Sequence, residues 1–158
     1  MVECFESKLK RLSGACAVLL LSMLIPLSPA LLAAEPQDAI LGTWLTDDGA
    51  SKVEVTQATA ADGSIVYTGN LTWLKEPMPN GKPALDVNNS DTALRSRPLI
   101  GVAILAGFKA AATGWSGGTV YAPRRGKSFP AELSVTADGR LQLNIKAGMM
   151  SRTDYWTR

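Results

Sequence analysis

A short central stretch of the chain holds the densest set of polar side chains, namely Asp86, Asn88, Asp91, Arg95 and Arg97. Two guanidinium groups this close together could grip a carboxylate or a phosphate, because arginine binds such groups through paired N–H donors. The same residues could instead hold their own loop together, with Asp and Asn side chains as turn acceptors and the arginines paired to them. We favour internal pairing and keep ligand binding as the alternative.

These residues lie between Trp73 and Gly101, in a polar loop rich in Pro and Asn. A loop of about 20 residues is uncommon in a small domain and is usually functional or disordered. Its apolar anchors and turn residues favour order. Asn89-Ser90-Asp91 can cap one helical turn over residues 92–97, which Pro98 then ends. We expect an ordered lid with one short helical turn.

Other chemistry is limited by the residues that the chain lacks. It has no histidine, and its two cysteines, Cys4 and Cys16, lie near the N-terminus. Ser–His and Cys–His nucleophile pairs and the usual zinc sites are therefore unavailable. The stretch from Asp86 begins like a calcium loop, but Asp91 and Arg97 stand where glycine and glutamate are needed. A dyad of Ser96 with a lysine and the carboxylate pair Asp86 and Asp91 stay open as catalytic alternatives, although nothing in the sequence fixes either geometry. We predict no catalytic residue, no metal and no cofactor, and expect a protein that is not an enzyme.

Residues 1–34 have the pattern of a signal peptide. Basic residues up to Arg11 precede an apolar stretch over 14–25, and small residues offer cleavage after Ala30 or Ala34. We expect one domain over 35–158, periplasmic or secreted, with no membrane span after cleavage. An uncleaved anchor is the alternative, because no charge interrupts the chain between Arg11 and Glu35. The nearly balanced charge, 16 basic against 14 acidic residues, predicts no binding of nucleic acid.

After residue 40 the apolar residues mostly alternate with polar ones, which is the pattern of β-strands. In one strand Ile65, Tyr67, Leu71 and Trp73 are expected on a single face. Asp138-Gly139 predicts a hairpin turn. The predicted strands cover 40–45, 51–57, a segment from 65, 98–109, 115–121, 131–136, 141–146 and 153–158. This indicates an all-β protein with about eight antiparallel strands, closed as a barrel that removes exposed edges. An open sandwich is the rival architecture.

Gly42-Thr43-Trp44 lies on the first predicted strand and resembles the Gly-x-Trp signature of lipocalins. The resemblance implies that Trp44 closes the barrel floor and that an arginine from the last strand covers its ring. A guanidinium can stack on an indole face while it bonds backbone carbonyls, so Arg152 or Arg158 could supply the cation. The alternative is an ordinary buried tryptophan. Either interpretation makes Gly42 and Trp44 structural.

A series of motifs follows in a fixed order, comprising Trp73-Leu-Lys-Glu-Pro77, Gly81-Lys-Pro83, Leu85-Asp-Val-Asn-Asn89, Leu94-Arg-Ser-Arg-Pro98, Trp115-Ser-Gly-Gly118 and the ending Arg152-Thr-Asp-Tyr-Trp-Thr-Arg158. Together they resemble the exported bacterial family known as domain of unknown function 2147. The resemblance implies a lipocalin-like (calycin-type) barrel and a periplasmic or secreted location, and it implies no activity. The chain departs from the family at 56–63, where a cysteine pair is absent, and at Ala122, where an acid usually stands.

The leading functional hypothesis is a barrel that binds a small apolar or amphipathic ligand at its mouth. We expect Tyr67, Leu71, Trp73 and residues 99–105 to line the cavity, with the polar loop as lid. The alternative is a cell-envelope protein interaction module with a barrel filled by side chains. Arg124-Arg125-Gly126-Lys127 is interpreted as a solvated turn, with an anionic surface as its alternative partner. The candidate ligand-binding residues are Tyr67, Trp73, Asp86, Asn88, Arg95, Arg97 and Trp115.

Overall fold

The structure, a computed structural model, describes residues 36–158, so the predicted signal peptide lies outside the described residues. Eight antiparallel strands form one sheet in which each strand pairs with the next along the chain. The strands are β1 (Gly42–Leu45), β2 (Ser51–Thr59), β3 (Ile65–Leu74), β4 (Ala103–Ala111), β5 (Gly114–Ala122), β6 (Lys127–Val135), β7 (Leu141–Ala147) and β8 (Met150–Trp156). Short 3-10 helices lie at Pro36–Ile40, Pro79–Gly81 and Thr92–Leu94. Among these described residues, no helix has the length and apolar character that crossing a membrane requires.

The sheet curls until its first and last strands meet. Leu45 and Thr157 form a bridge in which each backbone N–H donates to the other residue's carbonyl, at 2.7 and 3.0 Å. The sheet is a curled half-barrel, and this single bridge is what joins its two edges. We call the line between β1 and β8 the seam. The predicted all-β architecture of eight antiparallel strands is confirmed, and the open sandwich is not formed.

Local sequence explains most strand limits. Asp138-Gly139 makes the predicted hairpin, in which Gly139 has a positive φ of 80° and Thr136 N–H donates to the carbonyl of Arg140 at 2.9 Å. Strand β4 starts later than predicted, at Ala103, because Val102 N–H closes a turn onto the carbonyl of Leu99. Strand β6 starts earlier than predicted, since its first residues already pair with the end of β5.

The prediction that Trp73 shares the inner face of β3 with Leu71 was wrong. Lys52 pairs with Trp73 and Val53 with Leu71, so Thr72 is an extra residue in the ladder, that is, a β-bulge. An extra residue reverses the alternation of side chains, because neighbouring residues of a strand point to opposite faces. Trp73 is therefore 42% exposed, whereas Leu74 points inward. Ile65, predicted on the same face, is also 40% exposed and begins the strand.

Large side chains fill one part of the barrel interior, which we call the filled half. It consists of Trp44, Tyr67, Phe108, Trp115, Leu133, Leu141 and Leu143, all buried. Tyr67 and Trp115 meet edge to face, with their ring centroids 6.0 Å apart. Gly118 makes room for Phe108, because a Cβ at Gly118 would lie 2.5 Å from the ring. This glycine in a strand therefore serves close packing.

Trp44 is covered as the lipocalin signature implies. Its indole N–H donates to the carbonyl of Ile40 at 2.7 Å. The guanidinium of Arg158 lies 4.4 Å from the centre of its ring and donates to the carbonyl of Ala39 at 2.8 Å. Arg152, the other candidate cation, pairs with Asp154 instead. Arg158, just after β8, thus connects the end of the last strand with the segment before β1.

Candidate functional site

Beyond the filled half, the barrel interior widens into a half-open cavity of about 670 Å³, which includes the space at its mouth. This volume lies within the range of roughly 300–1,000 Å³ that is typical of small-molecule sites. We call this part the hollow half. Its boundary includes the β1–β2 turn (46–50), the β5–β6 turn (123–126) and the first residues of β8. The cavity therefore opens at the end of the barrel where these turns lie.

Aliphatic side chains from several strands form the cavity wall. Strand β3 supplies Leu71, β4 supplies Ile104, β5 supplies Val120 and β7 supplies Ile145. Ile145 points inward, yet it is only half-buried because no facing side chain covers it. Other apolar residues of the lining include Val53, Leu74, Leu99, Phe129, Met150 and Trp156.

Charged side chains surround the mouth of this apolar cavity. They are Asp47, Asp48, Arg124, Arg125, Arg152 and Asp154. Asp48 accepts hydrogen bonds from Thr46 Oγ1 at 2.8 Å and from Ala50 N–H at 3.0 Å. Partial burial opposes its charge, but these hydrogen bonds and the nearby charge of Arg124 outweigh burial and lower the pKa of Asp48. The Asp48 carboxylate thus stays ionised and is held by its own turn.

Beside the cavity, the predicted loop is organised around the buried carboxylate of Asp86. Arg97 donates from Nε at 3.0 Å and from Nη2 at 2.8 Å to Asp86 Oδ2. Asn89 Nδ2 donates to the same oxygen at 2.7 Å, and the Tyr121 hydroxyl donates to Oδ1 at 2.6 Å. Burial would raise the pKa of Asp86, but the hydrogen bonds from Tyr121, Asn89 and Arg97 outweigh it and lower this pKa.

Tyr121 connects the loop with the cavity. Asp86 and its three hydrogen-bond donors, Asn89, Arg97 and Tyr121, form what we call the Asp86 cluster. Tyr121 lines the cavity, while its hydroxyl belongs to this cluster. Burial and the hydrogen bond to the carboxylate raise the pKa of Tyr121, so the hydroxyl stays protonated and remains a donor. The guanidinium of Arg97 also lies 5.7 Å from the centre of the Tyr121 ring. Tyr121 of β5 is therefore one of the points at which the loop is attached to the barrel wall. The expected lid does not form over the cavity, because Leu99 is the one residue of 75–101 that lines it.

The loop is also packed against the β5–β6 turn. Ser90 N–H donates to the carbonyl of Gly126 at 3.1 Å. A Cβ at Gly126 would lie 1.6 Å from the carbonyl oxygen of Asn88, and φ at Gly126 is +63°, so only glycine fits. Within the loop, Asp91 caps a 3-10 turn at Thr92–Leu94, shorter than the predicted turn over 92–97, by accepting from Ala93 N–H at 2.9 Å. The turn and the loop hold each other in place.

The structure brings some of the predicted ligand-binding residues together and separates the others. Asp86 and Arg97 form the internal pair described above, and Arg95 donates to the carbonyl of Asn89 at 2.8 Å. Asn88 is exposed. Tyr67 and Trp115 belong to the filled half, and Trp73 lies on the outer surface with the Lys52 ammonium 5.5 Å from its ring centre. None of these seven residues is among those that line the cavity, although Leu71, Leu99 and Ile104 of the predicted wall are.

The residues at the mouth were not predicted as ligand-binding residues. Arg124 and Arg125 were interpreted as part of a solvated turn, Arg152 was a candidate cation over Trp44, and the β1–β2 turn carried no prediction. A signal for the two turn arginines existed, since they follow Pro123 after an alternating strand that ends in Tyr121 and Ala122. Over residues 36–158, no three side chains of His, Cys, Asp or Glu come together as a metal site would require.

Comparisons with known proteins agree with this fold. The solved structure of the Helicobacter pylori protein HP1028, described as belonging to the lipocalin family, is similar with a TM-score of 0.57 and 21% sequence identity. The similarity covers 75% of this chain and 81% of that protein, and it shows a shared lipocalin-like fold. No curated protein sequence matches. The family described as "uncharacterized protein conserved in bacteria" (DUF2147) matches residues 42–158. The chain therefore belongs to the DUF2147 family.

Proposed function

We propose that this protein binds a small amphipathic molecule in its barrel cavity, in the periplasm or outside the cell. The observation that carries the proposal is the cavity of about 670 Å³ with aliphatic walls and a charged mouth. The apolar part of the ligand would lie against the walls, and its polar end would remain at the mouth. The signal-peptide pattern of residues 1–34 supports export.

Filling this cavity with an apolar group is energetically favourable. Water reaches its aliphatic walls through the open mouth, so a ligand that displaces this water removes apolar surface from solvent. Each square ångström of apolar surface removed from water adds about 25 cal/mol. An interaction module with a filled barrel would not need such a space, so the hollow half favours ligand binding over that alternative.

A substitution that fills the cavity tests the proposal. Ile145→Trp places an indole in the hollow half, where space is available, so the free energy of unfolding should change by only about 1 kcal/mol. Binding of an uncharged apolar fluorophore such as N-phenyl-1-naphthylamine should weaken at least about tenfold. Fluorescence titration and denaturant unfolding measure the two effects.

Ile65→Trp is the matched control, since Ile65 is 40% exposed and does not line the cavity. This variant should bind the fluorophore as the unsubstituted protein does. Equal binding by the Ile145→Trp variant, or no binding of the fluorophore to the unsubstituted protein, would refute the proposal.

A further inference from the structure

We propose that the ligand carries an anionic head group, a carboxylate or a phosphate, which Arg124 and Arg125 hold at the cavity mouth. This inference rests on the proposed function and specifies the chemical class of the ligand. The sequence analysis had considered Arg95 and Arg97 for such a role. In the structure, the Nε groups of these two arginines already donate to the carbonyl of Asn89 and to Asp86.

Arg124 and Arg125 lie at the boundary between the apolar cavity wall and the solvent. Both are exposed residues of the β5–β6 turn, and both line the cavity. The guanidinium of Arg125 lies 5.8 Å from the ring centre of Phe129, which lines the cavity as well. Positive charge therefore begins where the apolar wall ends, as an amphipathic anion requires.

The two arginines of the β5–β6 turn keep their side-chain hydrogen-bond donors free, unlike Arg152 at the same mouth. Over the described part of the chain, neither guanidinium of this turn forms a hydrogen bond, and Arg124 makes a long ion pair with Asp48, at 3.7 Å. Among the acidic residues, Asp48 accepts bonds from its own turn and Asp154 pairs with Arg152. Asp47 is exposed and is the remaining acidic side chain at the mouth. Three acidic and three basic side chains surround the mouth, and the unbonded guanidinium N–H groups of Arg124 and Arg125 make the β5–β6 turn the part of it suited to an anion.

The turn that carries these arginines is held in position before any ligand arrives. Its Gly126 carbonyl accepts from Ser90 N–H, and its backbone packs against Asn88. A preorganised turn reduces the entropy lost on binding. Two guanidiniums on such a turn can each offer paired N–H groups to one carboxylate or phosphate.

Four probes with the same ten-carbon chain test the head group, namely decanoate, decyl phosphate, decanol and decyltrimethylammonium. Isothermal titration of the purified protein should show that the two anions bind about tenfold more tightly than decanol, which corresponds to about 1.4 kcal/mol. Rising salt should weaken the anions and leave decanol unchanged, because ions screen exposed charges. Comparing decanoate with decyl phosphate shows which anionic group is preferred.

Paired substitutions locate the effect. The double variant Arg124→Gln/Arg125→Gln should lose the preference for anions and keep its affinity for decanol. Asp48→Asn removes the charge that competes for Arg124 and keeps an oxygen for the turn, so anion affinity should rise about threefold, a gain of about 0.7 kcal/mol. Arg140→Gln is the matched control, since Arg140 also lies over an aromatic ring, that of Tyr155 at 4.8 Å, but does not line the cavity.

The outcomes separate the two proposals. If decanol binds as tightly as the anions, if the double variant keeps the preference, or if decyltrimethylammonium binds best, the anionic head group is refuted while cavity binding stands. If none of the four probes binds, both the head group and the proposed function fail.

Discussion

The filled half and the hollow half of this barrel are built by the same strands. Strand β5 contributes Trp115 to the filled half and Val120 to the cavity wall, and β3 contributes Tyr67 and Leu71 in the same way. The backbone pattern is continuous through both halves. Side-chain size at inward positions therefore decides where an eight-stranded barrel is solid and where it is empty.

The two halves are also stabilised by different interactions. In the filled half, aromatic rings and leucines pack closely, and Arg158 covers Trp44. Beside the hollow half, where packing is missing, the Asp86 cluster connects the loop with the wall through hydrogen bonds. We therefore expect substitutions in the filled half to act on stability alone, and substitutions at the hollow half to separate stability from binding.

The largest effect is expected from Trp44→Ala in the filled half. Removing a buried tryptophan leaves a cavity and should lower the free energy of unfolding by about 4 kcal/mol. Urea unfolding measures this loss. Trp73→Ala is the matched control, because Trp73 lies on the outer surface, and losing its partly buried ring below Lys52 should cost only about 1 kcal/mol. Similar losses in both variants would contradict the division of roles between the inner and outer faces.

Asp86→Asn should have the next largest effect. The substitution leaves the Arg97 charge without its partner, and breaking a buried pair costs about 3–5 kcal/mol. We expect the lower end of that range, about 3 kcal/mol, because the Arg97 side chain is 36% exposed. Asp138→Asn is the control, since the Asp138–Arg140 pair is exposed and should contribute at most about 1 kcal/mol. A loss as small in Asp86→Asn would show that the loop does not depend on this carboxylate.

The loss in Asp86→Asn should also depend on pH. The folded protein lowers the pKa of Asp86, so its charge stabilises the fold above the unfolded-state value near 3.8. This contribution disappears as the pH falls through the lower folded-state value. The difference in unfolding free energy between the two proteins should be constant from pH 7 to pH 5 and should narrow below pH 3.8. A difference that widened in acid would contradict the assignment.

The smallest effect is expected from Arg158→Gln. It removes the cation above Trp44 and the hydrogen bond to Ala39, which together should cost about 1 kcal/mol. Arg152→Gln, which removes the ion pair with Asp154 and leaves Trp44 covered, should cost within about 0.5 kcal/mol. Thermal unfolding compares the two variants. Equal melting temperatures would mean that Arg158 does not stabilise the filled half.

Much of the fold follows from local sequence. The alternation of apolar and polar residues predicted the strands around Leu133 and Leu143, and Asp138-Gly139 predicted the hairpin between them. Both patterns depend only on residues close together in the chain. Asp91 likewise predicted the start of the helical turn that it caps. The resemblance to the lipocalin signature predicted a cation from the last strand over the ring of Trp44, and Arg158 supplies it.

The cavity could not be predicted in the same way. One bulge at Thr72 turned Trp73 outward and Leu74 inward, and no residue type in the sequence marks it. The mouth of the cavity is formed by turns that are far apart in the chain, such as the turn that contains Asp48 and the turn that contains Arg124. Their proximity depends on how the sheet curls, which is a property of the whole barrel.

The seam between β1 and β8 is the side of the barrel with the fewest backbone hydrogen bonds. Two of them join Leu45 to Thr157, just after β8, whereas every other neighbouring pair of strands shares a longer ladder. Thr46, which follows β1, and Trp156, at the end of β8, line the cavity on the two sides of this seam. Under the proposed function, we expect a ligand too bulky for the cavity to part this seam first, because breaking two hydrogen bonds there leaves the other strand pairs intact.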